Sequence, residues 1–488
     1  MAETHVAQQP GTGHAVVIGA SMAGLLAARV LAGHVDRVTV VERDRLPDEV
    51  EQRKGVPQGR QLHVLLARGL AVLDRLFPGF GRDLEAAGAV PVRLPGDVLL
   101  SSKAGWIDRR APGWTMLSAS RPLIEATLRR RLLQLPGVAV LDGCEVTGLR
   151  ASDDSRLVHG VSVRRVDGGD DVRSVDADLV VDASGRGSRA AHWLADLGYP
   201  EPGRTQVDSH IAYASRLYRI PDGFAEDWRA VILMARPPHN PRSGFLLPIE
   251  GGRWILGLMG AAGQHPPTDE AGFTAFTREL SEPVIAETLA RAEPVSDIRG
   301  HRGTAGRLAH FERLPRWPER LVVLGDAVCA FNPVYGQGIT TAAIAAESLD
   351  ACLLAQRRRR PAGDLDGLAG RFQRELARRN ADPWMLSTGE DLRYPSTTGM
   401  TASRVLRAQH RYFDRVEIAA TTDPAVTEVY ARVFGMLDRP TALFRPRILT
   451  TALRTRPVTV EQMPASAPVA AVPAPRAPME QRSGVRAR

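Results

Sequence analysis

The chain has 488 residues, 44% hydrophobic and 24% charged, which allows two or three globular domains with a sizeable core. A formal net charge of +8 would raise nucleic acid as a partner, but nearly all the basic residues are arginines scattered among acids, with Lys54 and Lys103 the lysines, so nucleic-acid binding is excluded. Three widely spaced cysteines, Cys144, Cys329 and Cys352, form neither a disulfide framework nor a metal pattern, which points to a reducing, cytoplasmic location and no metal.

Residues 1–13 are polar without a basic leader, and the apolar run that follows is broken by Gly19, Gly24 and Arg29, so neither a signal peptide nor a transmembrane segment is expected. Instead Ala15 to Ile18 reads as a strand, Gly19-Ala20-Ser21-Met22-Ala23-Gly24 as a tight turn, Leu25 to Ala32 as a helix, and Val38 to Val41 as a second strand closed by Glu42 and Arg43. Such a unit binds the ADP half of a dinucleotide: the turn stays small so that backbone approaches a pyrophosphate, the helix N-terminus supplies N–H groups, and the acid accepts ribose hydroxyls. Ser21 stands where the middle glycine of G-x-G-x-x-G is usual.

A polar stretch, Arg43 to Gly59, is followed by a predicted helix from Arg60 to Leu76 with Arg60 and His63 at its start, where they face a phosphate or flavin or simply satisfy a helix terminus. Short strands are expected around 90–117, then a helix opened by Ser120 as N-cap with Arg121 and Pro122 behind it. Residues 138–182 read as a β-meander that includes Val138-Val140-Leu141, Glu145 to Leu149 with Val146, and a hairpin around Asp167-Gly168-Gly169-Asp170. It ends on the apolar strand Ala177 to Asp182, which runs into Ala183-Ser184-Gly185, another ligand edge.

Alternating strands near 210–218, 229–235, 243–249 and 253–259, with a Gly251-Gly252 hairpin, predict an inserted antiparallel sheet, followed by a helix from Asp269 to about Leu289. Arg320 to Leu324 returns to a buried strand, closed by Gly325-Asp326-Ala327. The loop Asn332-Pro333-Val334-Tyr335-Gly336-Gln337-Gly338 then opens a long Ala-rich helix whose negative end is met by Arg357 to Arg360. Residues 364–455 look helical with turns near Pro383, Pro395 and Pro440, and 456–488 read as a disordered Pro-Ala-Arg tail.

The blocks at Gly19, Asp182 and Asp326, in this order and spacing, resemble FAD-dependent monooxygenases of the single-component aromatic-hydroxylase fold over roughly residues 13–355. Asp182-Ala183-Ser184-Gly185 and Val328-Cys329 depart from the aromatic hydroxylases and resemble the branch of squalene and polyether-polyene epoxidases, as does Phe331-Asn332-Pro333-Val334-Tyr335-Gly336-Gln337-Gly338. Flavin halogenases share that fold but carry Trp-x-Trp-x-Ile, a spacing in which none of the seven tryptophans stands.

The resemblance implies an α/β Rossmann-type FAD-binding fold from residues 13–90, 105–200 and 296–356, an inserted substrate-binding sheet from 91–104 and 201–295, and a C-terminal helical region over 357–455. It implies that Gly19, Ala20, Ser21, Met22, Ala23 and Gly24 hold the FAD pyrophosphate, Glu42 with Arg43 the adenosine ribose, and Val146 the adenine. Arg60, His63 and Arg121 would meet phosphates or flavin, Asp182 and Gly185 the ligand edge, Asp326 the ribityl or pyrophosphate region, and Pro333, Gly336, Gln337 and Gly338 the isoalloxazine ring.

The implied reaction is oxygen insertion from O2 by a C4a-hydroperoxyflavin, most simply alkene epoxidation of a large apolar polyketide, polyene or terpenoid. The flavin carries the chemistry, so no catalytic side chain is assigned; Tyr335 and Asn332 are candidates to face substrate, or to hold the loop by hydrogen bonds. Candidate substrate linings in the inserted sheet are Phe245, Leu247, Trp254 and Leu256, which read equally as core. No second Gly-rich turn is visible for a nicotinamide, so electrons come from transiently bound NAD(P)H or from a separate flavin reductase. Two alternatives share the same motifs: a redox-neutral cyclase, such as a [4+2] closure, that uses FAD structurally, and a flavin-dependent prenyl double-bond reductase.

Overall fold

The computed structural model describes residues 11–456 apart from 169–170 and 362. The expected tail therefore lies, beyond residue 456, outside the described residues, as do Gly169 and Asp170 of the expected hairpin turn.

The architecture is α/β. Its centre is a five-stranded parallel sheet in the order Leu321–Val323, Leu179–Asp182, Gly11–Ile18, Val35–Val41, Val138–Leu141. The middle strands are apolar on both faces because both are covered, as parallel sheets require. Ile18 pairs with both Val41 and Asp182, and Asp182 pairs with Val323. One level of the sheet thus delivers the turn at Gly19, the acid at Glu42, the turn after Asp182 and the turn at Gly325 to the same carboxyl edge.

Two strands assigned to the meander belong here instead. Val138–Leu141 and Leu179–Asp182 pair in parallel with the central strands, leaving Cys144–Ala151, Val158–Arg165 and Val172–Asp176 as the antiparallel meander. The alternation of a meander edge and that of an outer parallel strand are the same in sequence; only the partner differs.

The helix Gly338–Arg359 lies against Met22–Leu31, Ala67–Leu76 and Leu368–Asp391, with its Ala and Leu side chains in the main core. Among the described residues it is the one helix long and apolar enough by length and composition to cross a membrane.

The inserted sheet has eight strands. Ala212–Arg219, Arg253–Gly260, Arg242–Ile249 and Ala230–Leu233 run antiparallel, and Val98–Ser102 adds in parallel. Period-two alternation gives this sheet two buried faces. Trp254, Leu256, Val231 and Leu233 pack against the helices Glu270–Arg278 and Val284–Leu289, while Phe245, Leu247, Ile255 and Ile232 point the other way, toward the Asn332–Gly338 loop. Trp254 and Leu256 are thereby removed from the candidate substrate linings.

Three helical expectations are corrected. The helix expected from Arg60 begins at Ala67; residues 61–66 stay extended because Gln61 donates to the Arg299 carbonyl at 2.9 Å, Leu62 and Val64 pack on the inserted sheet, and Leu65 packs in the main core. The helix expected over 269–289 is interrupted ahead of Pro283. Leu368–Asp391 runs through Pro383, where a turn was expected, with Phe372, Leu376 and Asn380 buried before the proline and Ser387 after it. The last helices, Arg404–Ala420, Pro424–Phe434 and Pro446–Arg454, enclose a separate small core with Ile107.

Gly24 is fixed by close packing: a Cβ there would lie 1.8 Å from the Gly19 carbonyl oxygen. Gly24→Ala is expected to cost at least about 2 kcal/mol by overpacking. At Gly33, where the nearest atom would be 3.4 Å away, Ala is expected to leave stability within about 1 kcal/mol. Thermal midpoints of the two variants check this, and equal midpoints would remove the close-packing role of Gly24.

Candidate active site

At the shared carboxyl edge lies a cavity of about 580 Å³. Gly19, Ser21, Met22, Ala23, Glu42, Arg43, His63, Arg121, Val146, Gly185, Asp326, Asn332, Pro333, Gly336 and Gly338 all line it. Residues up to 319 positions apart in sequence (Gly19 and Gly338) therefore meet at one site, as the in-register strand ends dictate.

Other sequence candidates sit elsewhere. Ala20 is fully buried and donates its N–H to Glu42 Oε2 at 2.7 Å, so it shapes the turn. Gly24 lies beneath Gly19. Asp182 is fully buried and accepts from Ser184 N at 2.9 Å, Ser184 Oγ at 2.5 Å and Ser188 Oγ at 2.6 Å, which folds the second turn rather than exposing an acid. Burial pushes its carboxyl up, opposed by those serines. Gln337 and Tyr335 turn away into a second cavity.

Arg60 is exposed at the end of a 3-10 turn, Pro57–Arg60, outside the cavity wall. Arg53 reaches the wall instead, a residue for which the sequence motifs imply no site role. Its Nε lies 2.6 Å from Glu125 Oε1, its Nη1 3.1 Å from Glu42 Oε2, and its Nη2 donates to the Ala20 carbonyl at 3.1 Å. This side chain ties the polar stretch 43–59 to the Gly-rich turn and to the helix Arg121–Leu133. The one sequence signal for it was the i,i+4 pair Arg121 and Glu125 at a helix start, an acid already half-spent on one arginine and able to take another.

The cavity wall is rich in anion-binding donors. Ser21 stands at the N-cap of Met22–Leu31 without capping it; its hydroxyl accepts from Arg121 Nη2 at 2.7 Å. The first-turn N–H groups and positive dipole end of that helix therefore face the cavity. Arg121 is buried and its Nε has no partner. Burial pulls its guanidinium down, and Glu125 holds it up.

His63, hydrogen-bonded to the Gln61 carbonyl at 2.9 Å, is pushed down to about 3 by burial and by Arg121, so it is neutral at ordinary pH. Asp326 is the acid on the opposite wall, 3.9 Å from Arg186; burial raises its carboxyl, and Arg186 and Arg121 oppose that. An uncapped helix end, an unpartnered buried guanidinium nitrogen and one facing acid fit a diphosphate with a ribityl or ribose hydroxyl beside it.

The loop Asn332–Gly338 is a party wall. Asn332, Pro333, Gly336 and Gly338 face the first cavity, and Val334, Tyr335 and Gln337 face a second one of about 200 Å³, lined by Phe245, Met234 and Met259 of the inserted sheet and by Phe413, Val433 and Phe434 of the C-terminal helices. The loop is anchored by Asp391, the fully buried last residue of Leu368–Asp391. Asp391 Oδ1 accepts from Asn332 Nδ2 at 3.0 Å, Tyr335 OH at 2.9 Å and Ser209 Oγ at 2.8 Å, while Oδ2 has no partner. Tyr335 and Asn332 are thus engaged in holding the loop, and Asp391 is a site residue that no sequence pattern announced.

A family model described as "FAD binding domain" matches residues 13–366. The chain is 37% identical over 433 residues to Protein Rv3254 of Mycobacterium tuberculosis, covering 87% of this chain and 90% of that one. It is 29% identical over 363 residues to kynurenine 3-monooxygenase of Salinispora tropica, covering 70% and 72%. Among solved structures, a flavoprotein/dehydrogenase from Cytophaga hutchinsonii superposes with a TM-score of 0.64 at 17% identity, covering 91% of this chain and 98% of that chain, a likeness of fold. The chain belongs to the FAD-binding domain family and is an FAD-dependent monooxygenase.

Two expectations follow from this geometry. Arg53→Met leaves Glu42 and Glu125 buried with less compensation and is expected to cost about 3–5 kcal/mol and to lower FAD occupancy, whereas Arg60→Ala changes neither. Urea midpoints and bound-flavin absorbance check the pair.

Burial pushes the Asp391 carboxyl up from 3.8 to about 6, with Ser209, Tyr335 and Asn332 opposing. A folded value above the unfolded one makes its contribution full below about pH 4 and lost as pH rises through about 6, roughly 3 kcal/mol in all. The stability difference between wild type and Asp391→Asn is expected to shift toward the variant across that window; a constant difference from about pH 4.5 to pH 7 would refute it.

Proposed function

We propose that this monooxygenase transfers one oxygen atom from O2 to an alkene of a largely apolar natural product, a polyketide, polyene or terpenoid, whose reacting end occupies the second cavity. The observation that carries the reading is the party wall: one loop borders the dinucleotide cavity on one side and an apolar cavity on the other. When bound, FAD supplies the oxygen-activating redox chemistry, and the protein supplies position and water exclusion. The balance is alkene, O2, NAD(P)H and a proton to epoxide, water and NAD(P)+, with electrons delivered by transient NAD(P)H or by a separate reductase.

The first-turn N–H groups of Met22–Leu31, with Arg121 and Arg43, would hold the diphosphate, and Glu42 and Asp326 would accept hydroxyls of the bound group. Gly338, at the start of the long helix and on the wall of the first cavity, would present the positive end of that helix to a bound flavin and favour negative charge on it. Among the described residues no histidine lines the second cavity, and the Tyr335 phenol is pushed well above its ordinary value by burial and Asp391. The carboxylates at its wall, Glu390 and Glu417, are both held by Lys103, at 3.6 and 3.1 Å, and this supports an alkene, whose epoxidation requires no protein base, over a phenol, which benefits from one.

At about 200 Å³ the second cavity is smaller than the ~300–1,000 Å³ common for ligand pockets, so a large substrate inserts its reacting end and leaves the rest outside.

Aerobic turnover of a candidate polyene under 18O2, with electrons supplied, is expected to add one labelled oxygen atom per alkene. Turnover under anaerobic conditions with oxidised FAD and no reductant would establish a redox-neutral cyclase instead. Reduction of the double bond without O2 would establish a reductase.

A further inference from the structure

The second cavity is polar at one end. There Lys103 Nζ lies 3.1 Å from Glu417 Oε1, 3.2 Å from Asp414 Oδ1 and 3.6 Å from Glu390 Oε2. Arg393 stands behind them, its Nε 2.8 Å from Glu390 and its Nη1 3.0 Å from Asp414. Two cations therefore meet three carboxylates. His410, held down by burial and by Arg393, adds no charge near neutrality. Lys103, Glu390, Glu417 and Tyr430 are the members that reach the cavity wall.

Across the same cavity Gln337 is 8% exposed, and its Oε1 has no hydrogen-bond partner. It is a buried acceptor without a donor, independent of the charged end.

We propose that this cavity selects an apolar substrate carrying a hydrogen-bond-donating hydroxyl or amine and rejects the corresponding carboxylate. The inference rests on reading this cavity as the substrate site. A donor group satisfies Gln337 Oε1, a buried acceptor that is costly to leave unpaired, or adds a bond to Glu417 beside Lys103. A carboxylate brings a fourth negative charge to a place where two cations are already shared among three acids, and low local dielectric strengthens the repulsion. Burial already pushes the Glu417 acid up against the pull of Lys103, as it does the Tyr430 phenol beside it.

The test uses the FAD-loaded protein and four probes with one ten-carbon body: geraniol, geranylamine, geranic acid and the hydrocarbon myrcene. Kd is read from the perturbation of the flavin absorbance at about pH 8. Geraniol or geranylamine is expected to bind at least about tenfold more tightly than geranic acid and more tightly than myrcene, and which of the two is tighter identifies the donor.

Glu417→Gln is expected to shrink the gap to geranic acid to less than about threefold. Tyr430→Phe, which removes a hydrogen bond to Glu417 and leaves that carboxylate to Lys103 alone, is expected to widen it. Geranic acid binding as tightly as geraniol, or a gap unchanged in both variants, overturns the selection while leaving the cavity as substrate site. Binding of none of the four overturns both, and the 18O2 experiment still decides oxygen transfer on its own.

Discussion

Ile18, Val41, Asp182 and Val323 stand at one level of a parallel sheet, and almost everything functional in this molecule hangs from that alignment. Parallel strands need crossovers, and each crossover leaves the sheet at its carboxyl edge. The chain leaves three of these strands at the same height, so the turns at Gly19, Ser184 and Gly325 converge although 306 positions separate the first from the last. A one-residue slip of any of these strands would exchange its two faces and displace its turn by about 3.3 Å. With continuous apolar runs on both faces, hydrophobic pattern alone does not forbid such a slip. The acids and small residues at the strand ends then carry the specification: Glu42 accepts from Ala20 N, Asp182 from Ser184 and Ser188, and Gly24 tolerates no Cβ beneath Gly19.

Assembling such an edge concentrates charge in a half-buried place. Arg53 and Arg121 are buried, and a lone buried cation is unfavourable by several kcal/mol. Glu125 and Glu42 offset it, but not completely: Arg121 keeps an unpartnered Nε, and the first turn of Met22–Leu31 lacks a side-chain cap. Arg121 and the first residues of that helix stand at the cavity wall. A structure that had satisfied these donors internally would be more stable without ligand and would bind a diphosphate less well. Partial satisfaction is what links stability of this edge to FAD occupancy.

The sequence disclosed what is local. Each Gly-rich turn lies within a strand–turn–helix unit whose residues are neighbours in the chain, and so Gly19 to Glu42, Gly325 to Asp326 and Asn332 to Gly338 were readable. Residues that act through distant partners were not. Arg53 reaches Glu125 across 72 positions, Asn332 reaches Asp391 across 59, and Lys103 meets Glu417 only because the C-terminal helices fold back over the inserted sheet. The same reason misplaced Arg60: two arginines seven residues apart in an aperiodic stretch are indistinguishable until one is seen to face buried acids. Faces of the inserted sheet were likewise undecided, since Trp254 and Phe245 both sit in alternating apolar strands and differ only in which layer covers them.

The loop between the two cavities explains why the C-terminal helices matter to a site that the nucleotide fold appears, in sequence, to complete by itself. Pro333–Tyr335 is a single short turn, and the left-handed Gly336 that follows it resists no displacement on its own. Asp391 binds that turn twice, through Asn332 and Tyr335, and binds the inserted sheet layer through Ser209. One buried carboxylate thus joins the helix layer, the flavin-side loop and the substrate-side sheet. Three donors converge on one of its oxygens and favour its ionised form, the other oxygen is left bare, and burial outweighs the donors and pushes the carboxyl up. The two cavities therefore share one wall, and a single buried side chain from the helix layer fixes it.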